Sequence, residues 1–138
     1  MAAVTMSTYL PVPIDQVWRL IGGFNALPDW HPAVEKSDLE DGGRVRRLQL
    51  SGGGSIIERL ESFNENEHMY SYTIEQGPLP VANYKSTIKI RQEPGKPGCT
   101  VEWSSEFAPS GAPEPDAIKV IQGVYQAGFD NLKKLFGG

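Results

Sequence analysis

Residues 113–136 read PEPDAIKVIQGVYQAGFDNLKKLF, a long stretch in which apolar residues recur at helical spacing. Polar side chains occupy only one narrow stripe of this predicted helix. Its apolar surface includes Ile118, Ile121, Val124, Tyr125, Phe129, Leu132, Leu135 and Phe136. A helix that faces solvent does not carry so broad an apolar surface, so the segment must lie against a large apolar concavity.

Two glycines interrupt this helix, Gly123 and Gly128. Each lowers the helix propensity by about 1 kcal/mol relative to Ala. Their presence predicts that side-chain bulk is unwelcome at both positions.

The chain from Val34 onward predicts the concavity, as an antiparallel sheet. In YKSTIKI (84–90) and TVEWSSEF (100–107), successive residues alternate between the two faces of a strand. Turn clusters rich in Gly, Pro and Asn divide this part into about six strands, joined mostly as hairpins. The clusters lie at 41–43, 52–54, 64–67, 77–80 and 94–98. One face of the sheet should be wet and the other covered by the terminal helix.

The first 32 residues predict one strand and two short helical segments. The strand covers 5–10, and a helix starts near Pro13 or Asp15 and stops at Gly22. A helical turn over 26–30 is closed by Pro32. The predicted class is α+β: a strand, two short helices, six strands and a long helix.

Length and composition narrow the possible functions. A chain of 138 residues predicts a single domain over 1–138. The 13 Lys and Arg face 17 Asp and Glu with no basic run, which argues against nucleic acid as a partner. The N-terminus lacks a basic region followed by an apolar stretch, and no run of about 18 apolar residues occurs. We expect a cytoplasmic protein without a membrane span.

Metal, disulfide and cofactor sites are not expected. Cys99 is the single cysteine, so neither an internal disulfide nor a thiolate zinc site can form within the chain. We expect it to begin a strand. His31 and His68 are far apart in sequence, with no acidic ligand nearby, and His68 is expected to be solvated.

Glu58 is the sharpest single observation. In SIIERLESF (55–63) it shares a strand face with Ile56 and Leu60. If those side chains point inward, Glu58 does too, and a buried carboxylate usually pairs, accepts hydrogen bonds or takes up a proton. In the opposite register Ile57 would point inward and Glu58 would pair with a surface Arg.

Four segments carry a family resemblance: ERLESF (58–63), GPLP (77–80), NYKSTIKI (83–90) and AGFDNLKKLF (127–136). With the order of elements, they resemble the helix-grip superfamily. This superfamily includes birch-pollen-allergen-like proteins, START-related lipid carriers and the bacterial polyketide cyclase/dehydrase group. The resemblance implies a seven-stranded antiparallel sheet wrapped around a long C-terminal helix, with a cavity between them that two short helices help to close.

The chain is also locally similar to the plant abscisic-acid receptors of that superfamily. The similarity implies that Glu58, Tyr84 and Ser86 are polar groups facing the cavity and that Tyr72 is part of an aromatic wall. His31 falls where those receptors place a lysine that meets a ligand carboxylate. An imidazole is a shorter and conditional cation, so carboxylate recognition does not transfer. The loops at 52–54 and 77–80 resemble the two flaps at the receptors' pocket mouth.

The predicted ligand-binding set combines these observations. It comprises Trp30, His31, Glu58, Tyr72, Tyr84, Ser86, Trp103, Ile121 and Tyr125. Several tyrosines on one inner face imply a wet or ligand-filled interior, since buried hydroxyls need partners, although plain core packing is the alternative. His31 could equally donate to a backbone carbonyl. One of Arg46 and Arg47 should point inward, as a counter-ion to Glu58 or to an acidic ligand, unless the cluster is a solvated edge.

Three functions fit this set. The first is a carrier or sensor that binds a small, largely hydrophobic molecule in an internal cavity. The second is an enzyme of the polyketide cyclase or dehydratase kind, with Glu58 as general base and Tyr84 or His31 polarising a carbonyl. The third is a protein-interaction domain whose flap loops engage a partner when the ligand enters. A protein partner or a homodimer is compatible with each of them.

Overall fold

The structure, a computed structural model, describes residues 1–137. Within them, seven strands form one antiparallel sheet in the order β1-β7-β6-β5-β4-β3-β2. The strands are β1 (Ala2–Leu10), β2 (Val34–Glu40), β3 (Val45–Leu50), β4 (Ser55–Asn64), β5 (Met69–Gln76), β6 (Val81–Gln92) and β7 (Cys99–Pro109). The helices are α1 (Ile14–Ile21), α2 (Leu27–Trp30) and α3 (Glu114–Phe136), and a 3₁₀ turn covers Asp41–Gly43. This architecture confirms the predicted α+β helix-grip fold.

The core lies between the inner face of the sheet and α3. In β6 and β7, every second residue from Tyr84 to Ile90 and from Val101 to Phe107 is buried. From α3, Ile121, Tyr125 and Phe129 are almost completely buried against that face. Each fully buried Ile or Phe contributes about 1.5–3 kcal/mol, so this layer holds helix and sheet together.

The two short helices close one end of the layer. α1 ends at Gly22, where an added Cβ would lie 2.6 Å from the Trp18 ring. α2 ends at His31, whose backbone is extended (φ −107°, ψ 114°), as is favoured before a proline. This exit turns the His31 side chain toward the interior, where it is 2% exposed.

Three details of the sequence prediction are wrong. Leu135 is 51% exposed and does not belong to the buried face of α3. Gly123 is exposed and has no neighbour within 4 Å of an added Cβ, so bulk is unwelcome at Gly128 alone. The His68 side chain is only 23% exposed, because its ring packs edge-on against Trp18 at 5.5 Å. As expected, Cys99 begins β7, and it is buried.

No helix among residues 1–137 combines the length and the apolar character needed to cross a membrane.

Candidate functional site

A pocket of about 240 Å³ lies between the inner face of the sheet, α2 and α3. Its apolar wall is formed by Leu27, Ala33, Val34, Leu48, Leu50, Ile56, Ile74, Leu79, Ile121 and Val124. The other lining residues are His31, Ser51, Glu58, Tyr72, Tyr84 and Trp103. Ser51 and Ala33 are exposed and Leu79 is half-buried, so the mouth lies beside the loops at 52–54 and 77–80.

Most of the residues predicted from the sequence meet at this pocket. His31, Glu58, Tyr72, Tyr84, Trp103 and Ile121 line it. The others lie directly behind the wall. The Trp30 ring packs 5.4 Å from that of Trp103, while Ser86 and Tyr125 hydrogen-bond to lining residues.

The apolar wall from β2 and β3 was not predicted, and the 77–80 loop was expected at the mouth without Leu79 being singled out. Leu48 and Leu50 follow the arginine cluster of β3, where the pattern did not decide which face is inward. Val34 is likewise the single buried residue of a strand that is otherwise half-buried or exposed. Alternation in β3 from Leu48 to Leu50 was the one signal that could have placed these two leucines in the wall.

Glu58 is buried and paired. It lies opposite Arg46 across the β3–β4 ladder, so both side chains project from the inner face. Arg46 donates from Nε to Glu58 Oε1 at 2.8 Å, and Arg46 Nη2 lies 2.7 Å from the same oxygen. Arg47 points outward to Glu40. The structure therefore identifies Arg46 as the inward arginine and as the counter-ion of Glu58.

Glu58 lines the pocket, and its two carboxylate oxygens are bonded unequally. Both contacts from Arg46 end on Oε1, and none of the described residues donates to Oε2. Burial raises the pKa of the Glu58 carboxyl, and Arg46 opposes that rise. With a cation at this distance we assign the ion-paired form, so Oε2 is an acceptor without a protein donor among the described residues.

Arg46 also ties the site to the segment between α1 and α2. Its Nη1 donates to the Phe24 carbonyl at 2.6 Å, and its guanidinium lies 4.3 Å from the centre of the Phe24 ring. A longer hydrogen bond of 3.5 Å reaches the Tyr70 hydroxyl. The guanidinium is thus directed to protein groups, and Arg46 does not line the pocket.

His31 is held as a neutral imidazole. Its Nδ1 accepts a hydrogen bond from the Ala33 N–H at 3.2 Å, which places the proton on Nε2. Nε2–H then donates to the Val124 carbonyl at 2.7 Å. Burial lowers the pKa of His31, and the nearby Arg46 charge adds to that effect. A second proton on Nδ1 would face the Ala33 N–H, so the ring contributes a wall and not a cation.

Gly128 gives the imidazole access to α3. An added Cβ at this position would lie 3.0 Å from His31 Cδ2, 3.0 Å from Trp30 Cζ3 and 3.1 Å from Trp103 Cζ3. Three rings therefore occupy the space that a side chain would need. The missing Cβ lets His31 reach the Val124 carbonyl, one helical turn before Gly128.

A chain of hydroxyl groups crosses the wall behind the pocket. Ser86 Oγ donates to the Ser104 carbonyl at 2.8 Å, because a carbonyl can only accept. Ser86 must then accept from the Tyr125 hydroxyl at 3.1 Å, and Tyr125 in turn accepts from Tyr84. The proton of Tyr84 therefore points away from the pocket. Its oxygen keeps its capacity to accept, since none of the described residues donates to it.

Tyr72 has the opposite polarity. Its hydroxyl oxygen accepts from Trp103 Nε1 at 3.1 Å, and its own proton is not donated to any described residue. Burial raises the pKa of Tyr72 and of Tyr84 well above the usual range, so both hydroxyls stay protonated. Three lining residues therefore keep hydrogen-bonding capacity that the described residues do not use: the Tyr72 hydroxyl as a donor, and Glu58 Oε2 and the Tyr84 oxygen as acceptors.

A more open groove of about 680 Å³ lies on the other side of this wall. Thr73 and Lys85 are the last pair of β5 and β6 before the loop that joins these strands, and beyond this pair the two strands diverge. Ile74, Leu79 and Tyr84 line both the groove and the pocket. Those three side chains are the partition between them.

The pH dependence of stability should report the state of His31. Its pKa is lowered in the folded protein, so its contribution is present above the ordinary value of 6.5 and is lost as the pH falls through the folded value. The difference in unfolding free energy between wild type and His31→Gln should narrow from about pH 7 to about pH 5, by at most about 1.4 kcal/mol per pH unit. Gln can retain the bond to Val124 but does not titrate. Denaturant unfolding at each pH measures the difference, and a constant difference would contradict the neutral assignment.

No group of three or more His, Cys, Asp and Glu side chains in residues 1–137 is placed to hold a metal ion.

Known proteins match this chain over almost its whole length. A family model described as "Polyketide cyclase / dehydrase and lipid transport" matches residues 1–137. The structure of protein XoxI from Bacillus cereus is 44% identical, with a TM-score of 0.95 over 99% of this chain and 96% of that one.

Two further proteins match the chain at lower sequence identity. The abscisic acid receptor PYL7 of Arabidopsis thaliana is 24% identical over 136 residues. The match covers 92% of this chain but 63% of the receptor, so the chain spans less than two thirds of that protein. A START superfamily protein from Mycobacterium smegmatis is 15% identical with a TM-score of 0.79, over 97% of this chain and 96% of that one, a likeness of fold alone.

Proposed function

This chain belongs to the polyketide cyclase/dehydrase and lipid transport family, and from that premise we propose that it binds a small, largely hydrophobic molecule between the sheet and α3. The observation that carries the proposal is the pocket of about 240 Å³, lined mostly by aliphatic side chains with a few polar atoms. Such a lining is typical of small-molecule sites, where apolar contacts supply affinity and polar groups fix orientation. The role is that of a carrier or sensor.

The size of the pocket limits the guest. An apolar cavity of about 150 Å³ is enough to hold benzene. The space here, about 240 Å³, suits a compound of about two fused rings. Glu58, Tyr72 and Tyr84 would orient it, while His31 and Trp103 would pack against its faces.

The proton positions favour binding over turnover. An enzyme with Glu58 as base would use Tyr84 or His31 to polarise a carbonyl of the substrate. However, Tyr84 already donates toward Tyr125, and His31 donates to the Val124 carbonyl. Neither group can donate a proton to a substrate carbonyl without rearrangement. We therefore propose a binding protein.

Two matched substitutions on α3 test the proposal with naphthol, a fused two-ring compound with one hydroxyl. Val124 lines the pocket, whereas Val120 is 39% exposed on the same helix. Val124→Phe should fill guest space and weaken naphthol binding about tenfold or more, measured by isothermal titration calorimetry. Val120→Phe should leave the affinity unchanged. Equal affinities in both variants, with thermal unfolding showing that both are folded, would contradict a site in this pocket.

A further inference from the structure

We propose that this pocket selects neutral molecules carrying a hydroxyl group and rejects carboxylates. The inference rests on the proposed function and adds the chemical class of the guest. Its basis is the direction of the hydrogen bonds around the pocket, which leaves particular atoms open to a guest.

Positive charge is not available to an anionic guest. Arg46, the cation nearest to Glu58, is turned toward Glu58 Oε1 and the Phe24 carbonyl. His31 lines the pocket, but Nδ1 accepts from Ala33 and Nε2 donates to Val124. No other Lys, Arg or His among the described residues lines this space. A carboxylate would enter without a counter-ion, and burying an unpaired charge is costly.

The open atoms instead fit a hydroxyl group. Glu58 Oε2 and the Tyr84 oxygen are acceptors, and the Tyr72 hydroxyl is a donor. A hydroxyl both donates and accepts, so it can give its proton to Glu58 or Tyr84 while accepting from Tyr72. A carboxylate can only accept, and it would lie beside the negative charge of Glu58. The same pocket therefore favours an alcohol or phenol over an acid of equal size.

Three probes of matched shape test this selection: naphthol, methylnaphthalene and naphthoate. Naphthol should bind most tightly, and methylnaphthalene should bind several-fold more weakly than naphthol. Naphthoate should bind about tenfold more weakly than naphthol, or too weakly to measure. Titration calorimetry at neutral pH gives the order. If naphthoate binds as tightly as naphthol, or methylnaphthalene matches naphthol, the selection is overturned while a hydrophobic site stands. If none of the three binds, the proposed function itself is contradicted.

Two variants separate charge from hydrogen bonding. Glu58→Gln removes the negative charge and leaves that of Arg46 uncompensated, so naphthoate should gain affinity relative to naphthol. Tyr84→Phe removes an acceptor without changing charge, so it should weaken naphthol about three- to tenfold and leave naphthoate unaffected. If Glu58→Gln does not fold, the Tyr84 variant decides alone. Unchanged ratios of naphthol to naphthoate affinity in the folded variants would overturn the proposal.

Discussion

Replacing Arg46 by Met should lower the free energy of unfolding by about 3–5 kcal/mol at neutral pH, as is usual when one partner of a buried ion pair is removed. Arg46 and Glu58 are 1% and 5% exposed, so the remaining carboxylate cannot be solvated where it lies. Denaturant unfolding measures the loss. The physical cause is the uncompensated charge, together with the vacated contact to Phe24.

Acid should distinguish this cause from lost packing. Without Arg46, the folded pKa of Glu58 rises further above its ordinary value of 4.5, because the cation that opposes the effect of burial is gone. A carboxyl whose pKa is higher in the folded than in the unfolded protein stabilises the folded state when the pH is below its unfolded pKa. That stabilisation is lost as the pH rises through the folded pKa. The cost of Arg46→Met should therefore shrink as the pH is lowered toward about 4.5. A loss of packing alone would not depend on pH in this way.

Two controls accompany the substitution. Arg47→Met removes the neighbouring arginine, whose partner Glu40 is on the exposed face, and should change stability little. The double variant Arg46→Met with Glu58→Leu should recover most of the loss, because neither charge remains buried. If Arg46→Met lowers the free energy of unfolding no more than Arg47→Met does, the assignment of a buried ion pair between Arg46 and Glu58 is contradicted.

Gly128→Ala should be less stable than Gly123→Ala by about 1–3 kcal/mol, the usual cost of overpacking. Both substitutions gain about 1 kcal/mol of helix propensity, so that gain cancels in the comparison. What remains is the clash of the new methyl group with His31, Trp30 and Trp103, each within 3.1 Å of an added Cβ. Gly123 has no neighbour within 4 Å and should tolerate Ala.

The same variant should disturb the pocket. His31 and Trp103 both line the pocket, so moving either ring to admit a methyl group changes the pocket wall. Gly128→Ala should therefore weaken naphthol binding as well as unfold more easily, while Gly123→Ala should bind naphthol as the wild type does. Two variants of equal stability would show that the three rings can move aside freely. Thermal unfolding and calorimetry provide both measurements.

Sequence periodicity was sufficient for β6, β7 and α3, because each of these elements buries one face and exposes the other. Alternation put Glu58 on the same face as Ile56 but left open whether that face is the inner one. The side chain of Arg46 could not be placed in this way, because Val45 and Arg46 are adjacent and both buried, which breaks the alternation at the start of β3. Its partner follows from the β3–β4 register, which a hydrophobic pattern does not contain.

The two glycines of α3 show what helical spacing could have added. Gly128 follows Ile121 and Tyr125 by seven and three residues and lies on their buried face, whereas Gly123 does not. Helical spacing could therefore have predicted that side-chain bulk is unwelcome at Gly128 and not at Gly123. The bond from His31 to Val124, 93 residues away, was not predictable, because it depends on how α3 seats against the end of α2.

Proton positions were also beyond the sequence. Tyr84, Ser86 and Tyr125 were all predicted to face a ligand, but only Tyr84 lines the pocket. The direction of their hydrogen-bonded chain is set by the Ser104 carbonyl, which is backbone and carries no residue-specific signal. Which hydroxyl accepts and which donates thus depends on tertiary contacts.

The most direct test is to locate bound naphthol by intermolecular nuclear Overhauser effects on methyl-labelled protein. Naphthol bound between the sheet and α3 should give contacts from its ring protons to the methyl groups of Leu48, Ile56 and Ile121, which line the pocket. Contacts confined to solvent-facing groups, with those three methyl groups contacting only the protein's own atoms, would contradict a guest site between the sheet and α3.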